Sequence, residues 1–392
     1  MTSILDNILD SSASSSNEQA KTWLKNNGVP TNRDESWKYT NPAKFMTGKS
    51  LAPKVVQSKS LEKLSPYFIK VSANDIASNL PAGVNLKKNN LADEVIDFSS
   101  ALNRLHNAQN YLLEVEKKTI IDQPILIIHT NEIAPSFEIK VGQFAEIAFL
   151  ESFAPDAEQE STTYARVKLT VEDGAHVQHI KTVIGGAEQI HIAKTTATIA
   201  KNATADFFIF ASGSKLTRQE LLAEINQSGS HVNAHGLFAL RANQHADQHI
   251  TLNHNAAHTT SDQLFKMVLD DESRGVFTGR LEIAKDAQKV DASQLNKNLV
   301  LSKKAHVDTR PQLLVHADDV KCAHGATVGQ LSPEEVFYLR SRGINQQRAQ
   351  KILCHAFASD AILRIKSEVI RHWVNDLLFE NFEQFALEKF ES

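Results

Sequence analysis

The sequence is 392 residues long, 42% hydrophobic and 22% charged, with a net charge of −4: the composition of a globular protein with a real core and two or three domains. With no basic block it offers nothing for nucleic acid to bind, and no apolar run approaches the ~20 residues a membrane helix needs. The first 17 residues lack a basic stretch before an apolar core, so no signal peptide is expected, and two cysteines, Cys322 and Cys354, cannot build a disulfide framework; both points predict a cytoplasmic location.

Residues 1–120 read as a mainly helical N-terminal domain. Ser11 to Ser16 is a polar low-complexity stretch. A helix around Ala20 to Leu24 is closed by Gly28-Val29-Pro30, and Trp37 and Tyr39 read as local core. Residues 48–66 read as a poorly structured connector, and Leu91 to Leu113 carries apolar positions close to a 3.6-residue repeat. At Gln123-Pro124 the period changes. Ile125-Leu126-Ile127-Ile128 is a buried-strand run, and short strands broken by turns continue to about residue 330. Among them are Ala165 to Val171, His176 to Ile184, Ile190 to Ala200, His231 to Leu240 and Gly275 to Leu281. Short rungs, frequent small turns and few hairpin signals favour a β-solenoid over a sandwich or barrel across residues 121–330, with helical segments covering its open ends. Residues 331–392 read as a C-terminal helical domain. Ser332-Pro333-Glu334-Glu335 has the form of an N-terminal cap, Gly343 of a C-terminal one, and Asn345 caps the next helix. That helix is expected to bury Ala349, Ile352, Leu353, Ala356 and Phe357, leaving Cys354 outside the deep core.

The chemistry-bearing residues sort by spacing. His231, His235, His245, His249, His254 and His258 crowd one region, yet four residues along a strand span about 13 Å, too far to share a metal with bonds near ~2 Å. They are expected to be solvated or hydrogen-bonded side chains on a β surface. Cys322 and His324 differ: two apart in a strand they face the same way with α-carbons about 6.6 Å apart, so thiolate and imidazole can converge on one ion. Two donors are half a site, since such metals want about four. The missing ligands would come from His306 or His316 on a neighbouring rung, or from a partner chain. Against this stands a structural thiol beside a core histidine. Cys354 reads as structural. Asp270-Asp271-Glu272 and Asp318-Asp319 read as solvated corners rather than the paired acids of a polysaccharide-cleaving β-helix, and no G-x-x-x-x-G-K-[ST] loop is present, so the chain itself should not hydrolyse ATP.

Several blocks, in order, carry a resemblance. They are Asn253 to Ser261, Gly275-Val276-Phe277-Thr278-Gly279-Arg280, Asp291 to Leu299, Lys321 to Gln330, and Phe337-Tyr338-Leu339-Arg340-Ser341-Arg342-Gly343-Ile344, with Glu35-Ser36-Trp37-Lys38-Tyr39-Thr40 near the start. Together they resemble the SufB/SufD family of iron–sulfur cluster assembly proteins. Within it the chain departs from the SufB pattern. Ala305 stands where SufB has a cysteine ahead of Thr309-Arg310-Pro311, and Gly325 follows His324 where SufB has glutamate. The resemblance implies a mainly β fold, a right-handed parallel β-helix flanked by N-terminal and C-terminal α-helical domains. It implies a non-enzymatic scaffold that pairs with SufB at the β-helix end near Cys322 and His324, and that docks the SufC ATPase on residues 331–392. Iron or a nascent Fe–S cluster would be held transiently at that junction, shared with SufB. A structural β-solenoid homodimer without a metal role is the alternative.

Overall fold

A computed structural model describes residues 4–11, 17–46, 60–72, 75–89, 95–107, 109–131, 133–154 and 160–385. In chain order it comprises helices α1 (Ile4–Asp10) and α2 (Glu18–Asn27), strands β1 (Phe68–Ser72), β2 (Ile76–Asn79) and β3 (Val84–Asn89), and helix α3 (Phe98–His106). Then come β4 (Asn110–Val115), β5 (Ile125–Asn131), β6 (Ser136–Val141), β7 (Glu146–Phe153), β8 (Ser161–Val171), β9 (His176–Ile184), β10 (Gln189–Ile199) and β11 (Thr204–Ser212). These are followed by β12 (Leu216–Ile225), β13 (His231–Leu240), β14 (His245–His254), β15 (Thr260–Leu269), β16 (Arg274–Ile283), β17 (Asp291–Val300), β18 (His306–Val315) and β19 (Lys321–Gly329). Helices α4 (Pro333–Ser341), α5 (Gln346–Ile362) and α6 (Glu368–Phe382) close the described chain.

From β5 onward, strands of odd number pair in parallel with one another in one sheet, and from β4 onward those of even number do so in a second. The chain therefore winds as a parallel β-solenoid, each coil giving one strand to each sheet. Adjacent coils bring together residues such as Leu264 and His235, 29 apart, or Ser293 and Asp262, 31 apart. No strict sequence repeat is needed, because the coil conserves only an alternation. Ile147, Phe149, Val177, Ala205, Val232, Phe265 and Met267 point into the coil and form one continuous interior core with Phe137, Val167, Ala223, Leu252 and Phe277. Glycine appears inside a strand where the interior is already full. A Cβ at Gly236 would stand 2.7 Å from Phe265 Cδ1 and 2.9 Å from Ile209 Cγ2. Gly236→Ala is therefore expected to cost about 1–3 kcal/mol by overpacking, read as a lowered thermal midpoint.

Sheet structure begins before the expected boundary at residue 121. β1 joins β5 and β4 joins β6, and β2 and β3 extend these sheets antiparallel. Leu112 and Leu113, expected on a helix with Leu102 and Leu105, lie in β4, because α3 stops at His106. Leu91, most of the connector at 48–66 and Ser12 to Ser16 fall outside the described residues.

Helices α1–α3, α5 and α6 pack on sheet faces, where helical segments were expected at the solenoid ends. Ile8, Leu24, Trp37, Phe98 and Leu102 bury against Tyr164, Ile190, Ile192 and Leu216 on the outer face of the even sheet. There the guanidinium of fully buried Arg218 sits 3.8 Å over the Trp37 ring. Cys354, Ala358, Ile370, Trp373, Val374, Leu378 and Phe382 bury against Phe208, Phe210, Leu237 and Val268 on the outer face of the odd sheet. These outward apolar residues dictate where the helices lie. The expected caps are present: Ser332 Oγ accepts from Glu335 N at 3.3 Å, Asn345 Oδ1 accepts from Arg348 N at 2.9 Å, and Gly343 has φ +85°. One expectation holds only in part. α5 buries Ala349 and packs Leu353 and Phe357 partly against this core as expected, but it also turns Cys354, Ala358 and Ala361 inward and leaves Ile352 40% exposed, because small side chains let the helix approach β13 and β15 closely.

Candidate functional site

β19 is the edge of the odd sheet and β18 the edge of the even one. Among the described residues no further strand pairs with the last coil and no helix makes extensive contact with it. Most of β19 is exposed and β18 only half-buried, whereas the strands behind them are largely buried. Leu295, Val315 and Val328 are exposed apolar side chains at this end. Such an edge presents unpaired N–H and C=O groups and is a template for another chain.

Cys322 and His324 both lie on β19. Cys322 pairs in register with buried Ala292 and packs against the interior core, so its face is the inner one, and His324, two residues on, shares it. Burial, assisted by the Asp291 carboxylate, pushes the Cys322 thiol up; metal binding would have to displace its proton. Among the described residues no group of three or more His, Cys, Asp or Glu side chains is placed to hold a metal. His306, on β18, stands 3.4 Å from Asp308, and His316 is exposed just beyond that strand. Neither joins Cys322 and His324 in such a group. The donors are chemically apt for iron, a soft thiolate and an imidazole, and they amount to half a coordination sphere.

The other candidates disperse. His245 bonds Thr40 Oγ1 at 2.9 Å. His254 lies between Thr259 Oγ1 at 2.8 Å and Ser261 Oγ at 2.9 Å. His235 accepts from Leu264 N at 3.2 Å, His249 from Arg218 at 3.3 Å, and His231 bonds Thr260, while His258 is exposed in a turn. His231, His235, His245, His249 and His254 are hydrogen-bonded, as expected, but His235, His245 and His254 are buried rather than solvated. Cys354 is fully buried, its thiol pushed up to about 12 first by burial and then by Asp270. That fits a structural thiol and corrects its expected position.

The sequence reading missed a charged group inside the solenoid. Glu151 on β7 is 1% exposed. His129 Nε2 donates to its Oε1 at 2.9 Å and His179 Nε2 to its Oε2 at 3.0 Å. Lys181 Nζ lies 3.4 Å away and also donates to Thr195 Oγ1 at 2.9 Å. Burial alone would raise the Glu151 carboxyl; the Lys181 charge and the two imidazole donors outweigh it and hold it well below the usual carboxylate range. His191 beside them is pushed down to about 3, first by burial. A cavity of about 30 Å³ touches this cluster through His179, Lys181 and Thr195 and continues to Gln219 and Gln248. The signal was present: His129, Glu151, His179 and Lys181 each occupy an inward position of an otherwise apolar alternation.

With this geometry in view, comparison with known proteins is specific. Residues 126–357 match the family model described as SUF system FeS cluster assembly, SufBD core domain. The iron–sulfur cluster assembly protein SufD of Escherichia coli is 30% identical over 90% of this chain and 89% of its own length. The chain belongs to the SufBD family. Another SufBD family protein, from Synechocystis, is 30% identical over 78% of this chain and 66% of its own length. SufD of Plasmodium berghei is 24% identical over 91% of this chain and 27% of its own length. The SufBD core thus takes in both the buried Glu151 cluster and the open coil with Cys322 and His324, and it ends in α5. No described helix is long and apolar enough to cross a membrane.

Proposed function

We propose that this chain is the SufD-type scaffold subunit of a SufBCD complex and catalyses no reaction itself. The observation that carries this reading is the uncovered last coil, which places a thiol and an imidazole on its inner face with half the ligands an iron site wants. SufB continues the two sheets across β18 and β19 and supplies the remaining donors. Iron or a nascent Fe–S cluster is the cargo held between them, with Cys322 and His324 as this chain's contribution. The coils wind right-handed, as parallel crossovers in one sheet overwhelmingly do. SufC docks on the C-terminal helices of 331–392, where α4 buries none of its own residues and Phe337 and Tyr338 are 71% and 57% exposed. Two free cysteines fit a cytoplasmic location.

Co-purification tests both contacts. The paired change Val315→Lys and Val328→Lys is expected to release SufB and retain SufC, and Phe337→Asp to release SufC and retain SufB. SufB retained by the lysine variant, or SufC by the aspartate one, would refute the corresponding contact. The homodimer without a metal role remains the second reading, favoured by the lack of a third donor beside Cys322 among the described residues. Iron and sulfide found in the SufB-containing complex, and lost when Cys322 and His324 are both replaced, would dismiss it.

A further inference from the structure

Gln294 lies behind His324 on the inner face. Across the parallel ladder Gln263 pairs with Gln294, and Gln294 with His324. Gln263 and Gln294 are both fully buried. Gln294 Nε2 donates to Gln263 Oε1 at 3.0 Å, which turns the nitrogen end of the amide toward β15. The oxygen end of the same amide is not engaged by Gln263. That oxygen is buried and has no hydrogen-bond partner among the described residues. The opposite sheet makes room for the amide: a Cβ at Gly279 would stand 2.4 Å from Gln294 Nε2. A buried acceptor left unmatched is costly, and the next side chain in the stack, His324, carries a ring N–H to offer.

We propose that Gln294 is the positioning residue of His324. Its amide oxygen accepts one imidazole N–H when a partner covers the coil end and excludes water. This fixes the tautomer and leaves the other ring nitrogen unprotonated and aimed at the junction. Gln263 holds the amide in that sense. The metal-directed half of the proposal rests on the role of His324 proposed above; the contact itself does not.

Gln294→Met removes the acceptor at nearly constant volume, and Gln294→Glu keeps one. Anaerobic Fe(II) titration of the assembled complex is expected to show binding about 10–100-fold weaker for Gln294→Met and close to wild type for Gln294→Glu. A purely structural role predicts the reverse order, since a carboxylate at a fully buried position is worse tolerated than a thioether. That order, or wild-type affinity in both variants, overturns the proposal. Imidazole ¹⁵N spectra of the iron-free complex labelled at histidine should show a single His324 tautomer in wild type and a mixture in Gln294→Met; identical spectra overturn it too. Should Gln294→Met fail to assemble, Gln263→Met, which releases the Gln294 amide, is read by the same spectra. If the tautomer follows Gln294 while His324→Ala leaves Fe(II) binding unchanged, the positioning contact stands and the metal role falls.

Discussion

Glu151→Ala is expected to destabilise the protein by about 3–5 kcal/mol, more than any other single change considered. The carboxylate is the common acceptor of His129 and His179 and the counter-charge of Lys181, all inside the coil. Its loss strands the Lys181 ammonium away from water and removes two hydrogen bonds at once. A pair of neutral side chains of similar size removes the stranded charge but still leaves the two imidazole N–H groups without an acceptor, so Glu151→Leu combined with Lys181→Met should recover the part of the loss that is due to the ammonium. Urea unfolding of the chain with unchanged cooperativity reads both values. A loss below about 1 kcal/mol for Glu151→Ala would mean that the cluster relaxes or hydrates and is not the internal clamp its distances describe.

Acid is expected to unfold the isolated chain unusually early. Burial pushes His191 down to about 3, and His235, His245 and His254 down to about 4. Each is neutral in the folded protein, while in the unfolded chain it titrates near ~6.5. The unfolded state therefore binds more protons below that value, and stability falls as pH drops. Their contribution is fully present above pH ~6.5, decreases from there down to the folded values, and is flat below them. One unit below the unfolded value each histidine removes about 1.4 kcal/mol, so the four together remove roughly 5–6 kcal/mol near pH 5.5. That is comparable to the 5–15 kcal/mol that holds most domains together. Glu151, whose folded value is depressed, adds a further loss in the same direction only below the ordinary carboxylate range. Urea titrations at pH 7.5, 6.5 and 5.5 should show a clear loss in the last interval. Equal midpoints at 7.5 and 5.5 would show that these rings are already protonated or accessible in the native state.

Much of the fold was legible because most coils keep the apolar-in alternation. His231 to Leu240 was read with its bounds intact. Thr260–Leu269 was not read at all. Its inward positions include Ser261 and Gln263, and its outward Lys266 lies under Phe357 and pairs with Asp360 at 2.7 Å, so neither face looks like a strand. Asp291–Val300 is equally hard to read as a strand, because Gln294, Asn296 and Asn298 fill inward sites. α5 misled for the opposite reason: Ile352 faces outward, while small Cys354, Ala358 and Ala361 make the close contact. At the site, the shared face of Cys322 and His324 followed from their spacing alone. What lay beyond reach was register. Nothing in the sequence aligns residue 263 with 294 and 294 with 324, because the turns between coils differ in length.

The most direct test is the iron and acid-labile sulfide carried by the assembled complex when this chain bears His324→Ala. If the open coil is half of a cluster-holding junction, the variant should still assemble with SufB and SufC in full yield while its iron and sulfide fall to background. Wild-type iron and sulfide in the His324→Ala complex would contradict that account.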